Sequence, residues 1–337
     1  MTITDTPAAS VLEQVSTRAP VTNKDAQRQA SSQHLTAAEN IKAEHLSANK
    51  QQTRSWFAQL ELKLDYRAGT RLLGAKRTGP LSIQKAFYPE GRDCAHLYLL
   101  HPPAGIVSGD ELNISVHLEK QAHTLLTTPG ANRFYRARDS VDIGKTEQLQ
   151  SLSCSLHEQA ILENLPQETI IYPRADAFNY IDVNMTETSV YAGWDIMCLG
   201  LQASQQDFSE GQLTQRTRVH CDGKLLYHDK VSINQHNQLL QHLAGLSGNP
   251  VFGTFIVCAP SRMDALQRQE LVDVVRQSID QQQLQRNVSI SDLDDLIVAR
   301  YLGESSEVCK QIFTKIWQLV RPFYCAKPAA QPRIWYT

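Results

Sequence analysis

The chain has 337 residues, 42% of them hydrophobic, with 33 basic against 35 acidic side chains and a formal net charge of −2. That length suits one large domain or two ordinary ones, and the apolar fraction can fill a buried core. Near-balanced charge excludes a general electrostatic pull toward nucleic acid or an anionic membrane, which rests on clustered Lys and Arg.

Residues 1–55 contain no aromatic residue and no glycine and are rich in Ala, Gln, Ser and Thr. Such a segment buries little, so a mobile tail is expected; LTAAENIKAEHL could alternatively form a short helix on a partner. The N-terminus lacks a basic start followed by an apolar h-region, and Asp5, Glu13, Asp25, Glu39 and Glu44 argue against an organelle transit peptide. No apolar run approaches the roughly 18 residues of a membrane helix. A cytoplasmic protein with no membrane partner is expected.

From Trp56 the texture changes. WFAQLELKL begins a two-residue alternation that ELNISVHLEK repeats: Leu112, Ile114, Val116 and Leu118 face one way, Asn113, Ser115, His117 and Glu119 the other. HTLLTT, QLTQRTRVH, KLLYHDKV and VFGTFIV read as further strands, with PG, DG and SGNP turns between several of them. Helices come late. MDALQRQELVDVVRQSI places Leu266, Leu271, Val274, Val275 and Ile279 at helical spacing. SSEVCKQIFTKIWQLV does so with Val308, Ile312, Phe313, Ile316, Leu319 and Val320, and Pro322 is expected to stop it. These signals predict a mainly β fold: a large antiparallel β-rich body over residues 56–337, one domain, with two C-terminal helices.

Four stretches carry candidate chemistry. LLHPPAGIVSGDEL lacks the G-x-x-x-x-G-K-[ST] of a phosphate loop, and Asp110 after Gly109 would repel phosphate. It also lacks the G-x-S-x-G of a nucleophile elbow, and no G-x-G-x-x-G occurs in the chain. A turn into the strand from Leu112 is the plain reading. In LLTTPGANRFYRARD a PGAN turn precedes Arg133, Arg136 and Arg138 with Phe134 and Tyr135 among them, which reads as a contact surface or as an edge strand with solvated charges. Three arginines in a near-neutral chain make a poor nucleic-acid surface.

In AILENLPQETIIYP, Glu163 and Glu168 could serve acid–base chemistry or hold a hard cation, or could simply be solvated at a strand boundary. AGWDIMCLG sets Asp195 in a run apolar enough to be interior, where a carboxylate must be paired, hydrated or metal-bound. Seven widely spaced cysteines with no C-x-x-C, and eleven histidines with no H-x-x-x-H, argue for buried reduced thiols and structural histidines rather than a disulfide framework or a standing metal site.

Together YPEGRDCAHLYLLHPPAGIVSGDEL, TTPGANRFYRA, LENLPQETI, GWDIMCLG and the ending RYLG through RPFY to PRIWYT resemble the urease accessory protein UreD (UreH) family, in order and spacing from about Trp56 to the C-terminus. The resemblance implies a non-catalytic scaffold built of stacked, solenoid-like sheets. Such a scaffold binds UreF and, through it, the GTPase UreG, in a dimeric heteromeric complex that delivers nickel to the urease apoprotein.

By the same resemblance no cofactor is tightly bound and Ni2+ is only in transit. The passage residues of the family fall on Asp110, Asn132 and Asp195, and on Asp229 or its neighbour His228, where the correspondence is ambiguous. Gly105, Gly109, Pro129, Gly130, Arg133, Tyr135, Arg136, Glu163 and Glu168 would shape loops and contact surfaces.

The chain departs from the family pattern at several positions. Ala104 and Ser108 stand for glycines, Asn132 for a small residue, Arg133 for lysine, and Leu201 and Gln202 follow CLG in place of an arginine. The first two keep the turn if the local φ is negative. Spaced carboxylates and water would hold nickel weakly enough to release it, whereas a dense His/Cys cluster would trap it. A docking-only adaptor and a carboxylate hydrolase are the alternatives.

Overall fold

The alternating strands build two facing sheets in a computed structural model that describes residues 56–336 apart from Ile143; the predicted tail lies outside the described residues. The first sheet holds β1 (Phe57–Tyr66), β2 (Thr70–Thr78), β5 (Glu111–Leu118), β8 (Gln148–Leu156), β11 (Asp176–Met185), β13 (Gln212–Cys221) and β14 (Lys224–Asn234), in the order β14-β13-β11-β8-β5-β1-β2. The second holds β3 (Ser82–Ile83), β4 (Cys94–Leu100), β6 (His123–Thr127), β9 (Ile161–Asn164), β12 (Val190–Leu199), β15 (Val251–Cys258), β16 (Val288–Asp292) and β17 (Leu296–Gly303), in the order β16-β17-β15-β12-β9-β6-β4-β3. Short β7 (Asn132–Phe134) pairs β10 (Thr169–Ile171), which joins β12.

From β4 to β13 the long strands alternate between the two sheets, so each coil of chain stacks on the one before, as in a solenoid. That winding corrects the antiparallel expectation. The inner pairings β1–β5, β5–β8, β8–β11 and β11–β13, and β4–β6, β6–β9 and β9–β12, are parallel; antiparallel pairing is confined to the ends of the stack. Period-two patterning reports a half-buried strand and says nothing about the direction of its neighbour. Here a parallel sheet keeps one face in solvent because the return path runs through the opposite sheet rather than through covering helices.

The inner faces meet in one core, with Leu62, Ile114, Val116, Ile181 and Val219 from the first sheet against Leu97, Leu126, Leu162 and Ile256 from the second. The outer face of the second sheet is covered as well. Trp194, Phe255 and Ile297 pack there against the two α-helices among the described residues, α1 (Ala265–Gln281) and α2 (Ser306–Cys325). Burial on both faces is why VYAGWDIMCL and VFGTFIVC read as continuous apolar runs.

Asp264 and Gln267 close a capping box on α1, which buries Leu271, Val272, Val275 and Ile279. Leu266 and Val274, expected on that face, are exposed. Pro322 does not stop α2. The helix runs on to Cys325 and ends at Ala326 in the left-handed region, because a proline in the last turn removes only one backbone donor.

Candidate functional site

The stretch from Leu99 to Leu112 is a turn held by its own polar atoms. Asp110 is buried, and its Oδ2 accepts the Val107 N–H at 3.0 Å while the Asp110 N–H donates back to the Val107 carbonyl. Burial pushes its carboxyl above the ordinary range, with the backbone donors opposing. The aspartate expected to face a wet interior thus closes the turn and is absent from the cavity wall described below. Gly109 has φ +86°. Ala104 has φ +63°, so the condition under which alanine replaces glycine without strain fails there. Ser108 keeps negative φ, and its Oγ accepts the Arg138 N–H at 2.8 Å. Gly105 is required by packing: a Cβ there would lie 2.2 Å from the Tyr135 ring.

Between the sheets lies a cavity of about 290 Å³. Leu99, Ile114, Leu126, Leu152 and Ile181 give it apolar walls; Asn132, Gln150, Asn164, Asn179 and Asp195 make it polar, and Pro129, Gly130 and Arg133 stand at its rim. The polar residues are ordered. Asn132 Nδ2 donates to Gln150 Oε1 at 3.1 Å, Gln150 Nε2 to Asn179 Oδ1 at 3.1 Å, Asn179 Nδ2 to Gln215 Oε1 at 2.8 Å, and Gln215 Nε2 to Asp195 Oδ2 at 2.9 Å.

Gln150, Asn179 and Gln215 occupy the same register on the parallel strands β8, β11 and β13, which is what allows the amides to stack. Every donor points toward Asp195. Such a head-to-tail chain presents its positive end to the carboxylate, and its members polarise one another. The Thr217 hydroxyl adds a bond at 3.3 Å.

Asp195 belongs to the second sheet and crosses to the first through these bonds. What surface it keeps is wall of the cavity. Burial pushes its carboxyl up to about 7; Thr217 and Gln215 hold it down, and Asp229 raises it further.

On the far side of Asp195 a constriction of about 10 Å³ is lined by Gln215, Thr217, Asp229, Val231, Phe252 and Thr254. Val231, Phe252 and Thr254 also line a third space of about 330 Å³ that reaches Asn287 and Arg300. Each space thus shares part of its wall with the next, through Asp195 and then through Val231, Phe252 and Thr254. Strand alternation separates the two candidates on β14: Asp229 faces the constriction while His228 is exposed on the outer side. Asp229 Oδ2 accepts from the Tyr227 hydroxyl at 3.1 Å and pairs with Arg300 at 3.1 Å.

Glu163 does something else. Fully buried on β9, it accepts from His123 Nε2 at 2.5 Å, Trp317 Nε1 at 2.6 Å, Arg321 Nε at 3.0–3.1 Å and the Tyr324 hydroxyl at 3.3 Å. Arg321 also pairs with Glu90, which takes a further bond from His96. Burial would raise the Glu163 carboxyl, but His123 and Arg321 outweigh it and hold it at about 2.

Trp317, Arg321 and Tyr324 share one face of α2, so this acid pins the helix to the sheet. It is neither solvated nor open to a substrate, which corrects the boundary reading. Cys94 with His123 and Glu163, and with Glu90 and His96, offers clustered ligand atoms that could hold a metal. Any ion there would have to displace the Arg321 guanidinium and the His123 bond. Glu168 is half-buried at the head of β10, where its carbonyl accepts the Asn132 N–H. Arg136 points outward and pairs with Asp139.

The amide ladder was missed in the sequence, though a signal exists. In QLQSLSCSL, DAFNYIDVNM and QLTQRTRVHC a polar amide interrupts the inward-facing positions of each strand, at Gln150, Asn179 and Gln215. The Arg321 lock has no local signal; it joins residues far apart in the chain.

A family description, UreD urease accessory protein, matches residues 57–336. The chain is 52% identical over 290 residues to the urease accessory protein UreD of Psychromonas ingrahamii, covering 84% of this chain and 94% of that one. It is 36% identical over 285 residues to the UreD of Klebsiella aerogenes, covering 84% and 98%, and 35% identical over 285 residues to that of Methylobacillus flagellatus, covering 84% and 95%. No described helix is long and apolar enough to cross a membrane. The chain belongs to the UreD urease accessory protein family and is a non-catalytic factor of urease maturation.

Proposed function

We propose that this chain carries nickel in transit toward the urease apoprotein, through the space between its two sheets, as part of a cytoplasmic, dimeric complex with UreF and, through UreF, UreG. The observation that supports the reading is a row of three spaces that share walls, the first two at Asp195 and the last two at Val231, Phe252 and Thr254. Its donors are mostly amide, hydroxyl and carboxylate oxygens. These hold a hydrated divalent ion weakly, as a conduit requires, where thiolate and imidazole would retain it. Asp195 is the station. Ionised, it is a buried charge that the amide chain only partly compensates, and a cation beside it relieves that cost. Asn132 begins the same chain near the rim, with Pro129, Gly130 and Arg133 around the entry.

The narrowness of the constriction favours a second reading, in which the chain only docks its partners and nickel goes elsewhere. Co-expression of the urease operon with Asp195→Asn, followed by metal analysis of purified urease, separates the two. The transit reading expects an assembled complex and urease with several-fold less nickel. Normal nickel content from a correctly assembled variant would leave docking alone.

A further inference from the structure

Asp195, Thr254 and Arg300 lie side by side in register across β12, β15 and β17, and all three line the series of spaces. Opposite them, Thr217 and Asp229 pair in register across β13 and β14. The constriction is therefore ringed by two carboxylates and two hydroxyls, a set of hard oxygens suited to a divalent cation. One carboxylate is already answered. The Arg300 guanidinium holds Asp229 at 3.1 Å and donates to the Tyr227 hydroxyl at 3.3 Å, and that hydroxyl bonds Asp229 in turn. Asp195 instead takes its bonds from neutral Gln215 and Thr217.

We propose that Arg300 is a tethered counter-cation that closes the Asp229 end of the constriction, and that a divalent ion arriving from Asp195 passes by displacing the guanidinium. This deepens the transit reading and rests on it.

Three features fit a plug rather than a brace. The guanidinium is permanently charged and only donates, so it occupies a cation's place without becoming a ligand. The Arg300 side chain is 52% exposed, against 20% for Asp229, so it can swing into solvent without opening the core. An ion pair with one end in water is weak, so an ion of double charge can compete for the carboxylate. A passage that holds its own cation at rest would also turn away monovalent ions, which gain too little at Asp229 to expel it.

The test uses the full chain and Mn2+, an oxygen-preferring ion whose free form is counted by electron paramagnetic resonance. Arg300→Gln, and Arg300→Met as a second truncation, should tighten Mn2+ binding about tenfold or more. Arg300→Lys, which keeps a tethered charge, should stay near the parent, and Arg300→Gln with Asp229→Asn should lose the gain. No gain in either truncation, or a gain that survives Asp229→Asn, overturns the plug. The two proposals fail separately. If Asp195→Asn blocks nickel loading of urease while Arg300→Gln binds Mn2+ no better, the plug alone falls. If Asp195→Asn loads urease normally, the transit reading falls and takes the plug with it.

Discussion

Glu163 and Arg321 stand 158 residues apart in the chain and meet fully buried, the guanidinium Nε within 3.1 Å of both carboxylate oxygens. The pair fastens α2 to β9 of the second sheet, and neither partner has water to fall back on. Glu163→Gln strands part of the Arg321 charge in a dry site and should cost about 3 kcal/mol or more in urea unfolding. Glu163→Gln with Arg321→Met should cost less than the sum of the single changes.

The same acid sets a pH limit. Its carboxyl is held at about 2 in the fold against an ordinary 4.5, so its stabilisation is fully present above about pH 4.5 and is lost as pH falls toward 2. Because Trp317 donates its indole N–H to Glu163, fluorescence should report the release of α2 across that window. The change between pH 4.5 and 2 should be smaller in Glu163→Gln. An identical acid profile in the variant would show that other carboxylates govern the transition.

Asp195 has the opposite sign. Its carboxyl is raised from 3.8 to about 7, so its contribution to the fold is fully present below about pH 3.8 and is lost as pH rises from there toward 7. Full ionisation in place costs on the order of 4 kcal/mol. Asp195→Asn keeps an oxygen to accept from Gln215 and Thr217, so it should raise Tm at pH 8 and change little near pH 4. A variant less stable than the parent at pH 8 would mean that the carboxylate is compensated at rest.

Asp195 and the turn at Asp110 mark how far the sequence could be read. A carboxylate inside GWDIM had to be interior and hydrogen-bonded, and it is; the amide chain that ends on it could not be named, because Gln150, Asn179 and Gln215 become neighbours only when three parallel coils stack in register. SGD was readable as a turn. Which way its acid pointed was not, since a side chain that closes its own loop and one that faces a cavity have the same local sequence. Strand positions were legible from alternation, whereas strand direction depends on the long return path. Arg321 directly follows an apolar helical run, and only its meeting with Glu163 and Glu90 explains its burial.

Ala104 is strained where the turn leaves β4. At φ +63° a Cβ crowds the following carbonyl, a cost that glycine lacks. Ala104→Gly should therefore stabilise the chain by about 1 kcal/mol, partly offset by the greater freedom of glycine when unfolded, and should raise Tm by about 2 °C. An unchanged or lower Tm would show that the rest of the loop has already absorbed the strain.

Gly105, one residue on, tests packing instead. Its φ is not in the left-handed region, so Gly105→Ala meets one obstacle, the Tyr135 ring whose Cε2 would lie 2.2 Å from the new methyl group. Tyr135 is itself seated edge-on against Tyr172 with ring centroids 4.9 Å apart, so the ring yields only by giving up that contact. The substitution should cost about 1–3 kcal/mol. In a Tyr135→Leu background most of that cost should vanish, leaving a coupling of about 1 kcal/mol or more in a double-mutant cycle. Equal cost in both backgrounds would place the clash in the loop backbone and remove Tyr135 from the account of why this position has no side chain.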